Sequence, residues 1–155
     1  MTLNRHLLIV LAAGGSAALL LGAFAFQHLG GMAPCKLCLW QRWPHAAAIV
    51  IGVLALAVPG RGLPLLGMLA ALTTAGIGLY HTGVERGFWE GPSSCTSSAA
   101  GGMSAEDLFE QIMAAPLVRC DEVPWEMLGL SMASWNAVAA LGFALLWAMA
   151  ARARV

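Results

Sequence analysis

Four apolar stretches, separated by short polar breaks, set the pattern of this chain. Residues 7–26 carry no charge, and a helix of about 20 residues at about 1.5 Å per residue covers the roughly 30 Å hydrocarbon core of a bilayer. Residues 63–80 and 132–151 repeat the pattern, with Gly and Ala scattered among Leu and Met as membrane helices tolerate. The second stretch needs its start chosen. Begun after Pro44, a helix to Val58 would be about 21 Å long, too short to cross, whereas a start near Leu37 restores about 33 Å. The spacing therefore predicts a span over 37–58, with Pro34 and Cys35 at its entrance and Pro44 as a kink that removes the hydrogen bond to the Trp40 carbonyl. Pro59-Gly60-Arg61-Gly62 makes a tight turn into the third span. The Ala23-Phe24-Ala25 triplet looks like a signal-cleavage site, but the apolar run before it is too long for a signal peptide.

Segments 27–36 and 81–131 fall on one side of these spans. Within the second, 91–102 is rich in Gly and Ser, and Ser104 with Asp107 makes a capping box opening a short helix to Ala115, before Pro116. Leu108, Phe109, Ile112 and Met113 give that helix one apolar face, suited to a membrane surface or to packing on its own loop. The prediction is a single all-α domain, a four-helix integral membrane bundle with a large outer loop carrying a short amphipathic helix.

Composition agrees. Of 155 residues, 59% are hydrophobic and 10% charged, against about 45–50% apolar in ordinary soluble domains. The net charge of zero conceals an asymmetry, since every acidic residue lies between Glu85 and Glu126; this gives no support to a nucleic-acid partner. Arg5, Arg61, Arg152 and Arg154 crowd the short segments on the side of the termini, whereas Lys36, Arg42, Arg86 and Arg119 are spread over a much longer length on the other. The positive-inside rule then makes the termini cytoplasmic and puts all four cysteines in the extracytoplasmic compartment, where disulfides persist. Trp40, Trp43, Trp89, Trp125 and Trp135 fall at or near that surface, as interfacial aromatics do.

The chemistry-bearing residues are two cysteine pairs. Cys35-Lys36-Leu37-Cys38 is a C-x-x-C at a helix start, which sets both sulfurs on one turn beside unpaired backbone N–H groups; these and Lys36 favour a thiolate. The motif lacks the His of a haem attachment sequence, and with no His cluster nearby a zinc site is not predicted. Cys95 and Cys120 lie 25 positions apart. As a staple they would contribute about 3–4 kcal/mol; alternatively Cys95, among small neighbours, is open to another protein. The C-x-x-C on the same side turns the reading towards catalysis.

Arg42 lies one turn below Cys38 on the same face, where a charge is costly. It either snorkels to headgroups or stabilises a thiolate or the charge developing on an acceptor in the membrane. Gln41 could add a hydrogen bond there, and His81, closing the third span, could reach the same depth.

The chain resembles the bacterial disulfide bond formation protein B (DsbB) family over almost its whole length. The resemblance rests on Pro34-Cys35-Lys36-Leu37-Cys38-Leu39-Trp40-Gln41-Arg42-Trp43-Pro44-His45, on Gly78-Leu79-Tyr80-His81-Thr82-Gly83-Val84-Glu85, on the Cys95 loop, on Arg119-Cys120-Asp121-Glu122 and on Leu128-Gly129-Leu130-Ser131-Met132, in that order. It implies a monomeric inner-membrane enzyme that reoxidises a periplasmic DsbA-like thioredoxin-fold oxidase and passes electrons to a quinone, ubiquinone or else menaquinone. Carried over, Cys95 takes attack from the partner's thiolate, the freed Cys120 attacks Cys35, and Cys38 is left as a thiolate beside the quinone. Arg42, with His81 and Gln41, would lie at the quinone head group. No metal is implied.

Energetics favour such an arrangement over a static staple. A DsbA-type oxidase has a potential near about −120 mV and structural disulfides lie below about −300 mV, so the latter could oxidise the former only uphill, by about 8 kcal/mol. Two other readings compete. A vitamin K epoxide reductase-like quinone reductase shares the four-helix logic but places its C-x-x-C late in the chain; a membrane scaffold would use the cysteines only as staples.

Overall fold

The computed structural model describes residues 4–92 and 119–153. Within them, helices α1 (Arg5–His28), α2 (Lys36–Ala57), α3 (Gly62–Glu85) and α4 (Met132–Arg152) are each long and apolar enough to cross a membrane. Each packs on its neighbour in chain order and α4 closes back on α1, giving an all-α four-helix bundle. Its exterior is apolar: Leu21, Val50, Val53, Leu69 and Leu145 all point outward and exposed, as a lipid-facing surface requires. The predicted helix at Ser104–Ala115 lies outside the described residues, as does Cys95.

Small residues set the helix spacing. The core gathers Leu8, Ile9, Ala12, Ala55, Ala71, Ala144 and Ala150 around Trp147, which is completely buried. Gly67 on α3 lies flat under that indole: a Cβ there would stand 2.5 Å from the ring. At Gly78 a Cβ would come within 3.1 Å of the Ala133 carbonyl oxygen. Bare backbone at both places lets α3 and α4 approach closely, the usual route to association where no hydrophobic effect separates helix from lipid.

The two ends of the bundle are built differently. At the end carrying the α2–α3 turn, Arg5 donates to the carbonyls of Gly60 (3.0 Å) and Val58 (3.4 Å), and Arg61 donates to the Ala151 carbonyl at 2.8 Å. Guanidinium groups thus satisfy carbonyls left over where α2 and α4 finish.

At the opposite end α3 runs on to Glu85, a turn beyond the predicted end at Tyr80. A small antiparallel hairpin, β1 (Glu126–Met127) and β2 (Leu130–Ser131), then leads into α4. Leu128 (φ 55°) and Gly129 (φ 75°) form its two-residue turn with both residues in the left-handed region, the geometry that matches strand twist. Sequence reasoning missed this hairpin because leucine at such a φ is no turn signal. Arg86 holds it to α3, donating to the Gly129 carbonyl (2.7 Å) and pairing with Glu126 (3.1 Å). Ser131 caps α4 by accepting from the Ser134 N–H (3.2 Å), and its hydroxyl donates to the Glu85 carboxylate.

Candidate thiol site at the head of the second helix

Cys35 is the N-cap of α2. Its extended backbone (φ −72°, ψ 169°) follows Pro34, and its sulfur accepts from the Cys38 N–H at 3.2 Å, taking the place a serine or aspartate oxygen holds in an ordinary cap. The three-residue spacing then stacks Cys38 directly over it. Both are free thiols, their sulfurs 2.7 Å apart, within about 0.7 Å of the roughly 2.05 Å of a disulfide. Donation to Cys38, with burial added, holds the Cys35 thiol above the ordinary thiol range. Helix α2 itself continues through Pro44 without interruption.

The last turn of α3 brings His81 against this pair. Its Nε2 stands 3.5 Å from the Cys35 sulfur and 3.8 Å from a Glu85 oxygen, and the ring also donates a hydrogen bond to the Cys120 backbone. Cys120 is wholly buried in one small cluster with Cys35, Leu37 and Val84, and it is disulfide-bonded. Three of the four cysteines therefore gather at one end of the bundle.

Arg42 and Gln41 diverge. Arg42 leans to the flank facing α1: Nη1 donates to Gln27 Oε1 at 2.6 Å, Nη2 to the Ala23 carbonyl at 3.4 Å, and the guanidinium covers the Phe24 ring at 4.8 Å. It stays half-buried one turn from half-buried Cys38, and its charge and that of Glu85 both act on that sulfur. Gln41 instead points into the bundle, buried, with Nε2 at 3.0 Å from His81 Nδ1 and Oε1 accepting from Asn136 Nδ2 at 2.7 Å. It does not share the Arg42 flank.

Asn136, Thr74, His45 and Glu85 were not among the predicted site residues. Thr74 donates to the Gln41 carbonyl (3.0 Å) and accepts from Asn136 (3.2 Å), while His45 Nε2 meets Asn136 Oδ1 at 2.8 Å. The signal available in the sequence was the polar residue itself: Asn136 falls inside a predicted span, where polar groups are expensive and need partners. The fold also supplies what the local sequence around the C-x-x-C lacks, a histidine. Cys35, Cys38 and His81 offer ligand atoms all within 4.8 Å of one another, a spacing open to a thiophilic ion when both sulfurs are reduced.

Chemically, a capped dithiol at bonding range, flanked by an imidazole and with a half-buried cation one turn below, is equipped to alternate between disulfide and dithiol at the membrane boundary. The model of the family "Disulfide bond formation protein DsbB" matches residues 4–150. Among curated proteins, the chain is 33% identical over 141 residues to disulfide bond formation protein B of Pasteurella multocida (strain Pm70), covering 86% of this chain and 79% of the relative. It is 30% identical over 158 residues to the protein of that name from Polaromonas naphthalenivorans (strain CJ2), covering 97% and 93%, and 32% identical over 132 residues to that of Marinobacter nauticus (strain ATCC 700491 / DSM 11845 / VT8), covering 79% and 77%. No solved structure gives a significant match.

Proposed function

The chain belongs to the DsbB family of disulfide bond formation proteins and is a multi-pass membrane protein; from that premise we propose that it is a thiol:quinone oxidoreductase of the bacterial inner membrane. Its cysteines face the periplasm and its termini the cytoplasm, as the distribution of arginines favours. Its protein substrate is the reduced dithiol of a DsbA-like thioredoxin-fold oxidase. That partner's thiolate attacks Cys95, Cys120 leaves as a thiolate, and the partner's second thiol closes its own disulfide and restores the Cys95 thiol. Cys120 attacks Cys35 of the oxidised C-x-x-C, and Cys38 departs as the thiolate. Re-forming the Cys95–Cys120 disulfide frees Cys35, so the two electrons come to rest on the C-x-x-C.

The observation that carries this reading is the placement of Cys35, Cys38 and the buried Cys120 in one group at the head of a membrane span. A disulfide that must be remade after each turnover needs an oxidant that reaches it, and a lipid-soluble one reaches the half-buried Cys38 flank. A quinone bound there would accept the two electrons and two protons. The residues fit such a group. Arg42 uses its two terminal nitrogens on α1, while a guanidinium carries five N–H donors, so donors are left for a quinone oxygen. The same cation stabilises negative charge at Cys38. Leu39 and Trp43, beside Cys38 and Arg42 in the chain, are apolar and exposed, as an approach from lipid requires.

The test is quinone-dependent oxidation of a reduced DsbA-like protein by the purified enzyme in lipid, followed by quinone absorbance. Turnover that vanishes in Cys38→Ser, in a protein that still folds, is the expected result. Partner oxidation that proceeds equally without quinone, or with that thiol removed, would overturn the reading.

A further inference from the structure

A continuous chain of hydrogen bonds crosses the bundle from His45 to Cys38, and its direction can be read from the two backbone carbonyls it touches. Gln41 Nε2 lies 3.3 Å from the Leu37 carbonyl, which can only accept, so the amide's NH2 faces Leu37 and His81 and its oxygen faces Asn136. Thr74 spends its hydroxyl proton on the Gln41 carbonyl, so its oxygen accepts from Asn136. Both restraints turn the Asn136 NH2 toward Gln41 and leave its oxygen for the Nε2–H of His45. His45 Nδ1, buried and without a hydrogen-bond partner, then carries the lone pair.

The consequence falls on His81. Because Gln41 presents an N–H to His81 Nδ1, that nitrogen must be the acceptor, and the ring's proton sits on Nε2, where it is shared between the Cys35 sulfur at 3.5 Å and the Cys120 backbone. Cys35 in turn donates to Cys38. Every member from His45 through Asn136, Gln41, His81 and Cys35 donates toward the next, so the bond dipoles align and polarise one another, with the donating end at the Cys38 sulfur.

We propose that Asn136, on the fourth helix and without contact to the reacting sulfurs, is a positioning residue that through Gln41 fixes the Nε2–H tautomer of His81 and so stabilises the thiolate of Cys38. This deepens the proposed function, resting on its assignment of Cys38 as the electron-delivering thiolate. The charged groups around the pair, Lys36 and Arg42 on α2 and Glu85 on α3, are untouched by a change at Asn136.

Two measurements on the reduced protein, made without quinone or partner, test it. In 15N-imidazole spectra, His81 of the wild type is expected to show a pyridine-type Nδ1 and a pyrrole-type Nε2; in Asn136→Leu the Gln41 oxygen loses its donor, the 3.3 Å bond to the Leu37 carbonyl alone orients the amide, and the two tautomers mix. The rate of Cys38 alkylation at fixed pH, resolved by mass spectrometry, is expected to fall about tenfold in Asn136→Leu, the loss of one hydrogen bond to a charged group. In a His81→Ala background the same substitution should have almost no further effect. A wild-type His81 protonated on Nδ1 would overturn the proposal, as would losses from the two substitutions that simply multiply. The wild-type spectrum decides the matter even where Asn136→Leu does not fold. Absence of quinone turnover would remove the functional reading and leave the tautomer result standing.

Discussion

Arg42→Met separates a stabilising role from a functional one. The substitution removes a 2.6 Å charged hydrogen bond to Gln27 and the guanidinium over Phe24 at 4.8 Å. These are worth about 1.5–3 kcal/mol and about 0.5–1 kcal/mol respectively. It also removes a half-buried charge from a membrane span, which costs about 2.5–3.5 kcal/mol at a helix centre and less near the interface, while methionine keeps most of the packed stem. The opposing contributions nearly cancel, so unfolding free energy in detergent is expected to change by no more than about 1 kcal/mol. Quinone kinetics should not escape so lightly: on the proposed function Arg42 donates to the head group, so its loss is expected to raise the quinone KM about tenfold or more, with the KM for the protein partner unchanged. The paired assay is thermal or denaturant unfolding beside steady-state turnover at varied quinone. A variant destabilised by about 3 kcal/mol whose folded fraction keeps the wild-type quinone KM would refute the reasoning, and Arg42 would then be a clamp on α1.

Other outcomes follow from the same geometry. Cys35 keeps its proton in the fold because it donates to Cys38 and is buried, so it should remain a thiol above the pH near about 8.5 where a free cysteine ionises; that contribution to stability is whole below this pH and is lost as pH rises through the higher folded value. Alkylating the reduced protein at pH about 8.5 should therefore mark Cys38 well ahead of Cys35, and equal labelling would contradict it. Gly67→Val sets a side chain against the Trp147 ring, where even a Cβ would stand at 2.5 Å; overpacking of this kind costs about 1–3 kcal/mol, read as a lowered melting temperature, and an unchanged one would contradict the packing. Elemental analysis should find no stoichiometric metal in the active enzyme, and chelators should leave turnover intact; loss of activity on chelation would reassign Cys35, Cys38 and His81 as ligands.

The spans were legible because length and hydropathy alone decide whether a helix can cross a bilayer, and the start of α2 because only a helix entered at the C-x-x-C is long enough. Charge-free runs such as 7–26 leave little room for error. What the sequence hid was lateral. Arg42 and Gln41 are adjacent in the chain and were read as one group, yet about 100° of helical rotation separates successive residues, so one side chain goes to α1 and the other into the core. Asn136 was invisible as a site residue because its partners, Gln41, Thr74 and His45, come from two other helices. Periodicity states which residues are polar within a span; only packing states what they meet.

The guanidinium ties at the end carrying the α2–α3 turn bear on how the molecule moves. Arg5 and Arg61 knot the finishing turns of α2 and α4 to the chain around them, while the end bearing the sulfurs depends on side-chain bonds reaching a two-residue hairpin. Amide exchange should register the difference as slow opening near Val58 and Ala151 and faster opening at Leu130, the end bearing the sulfurs yielding before the foundation below.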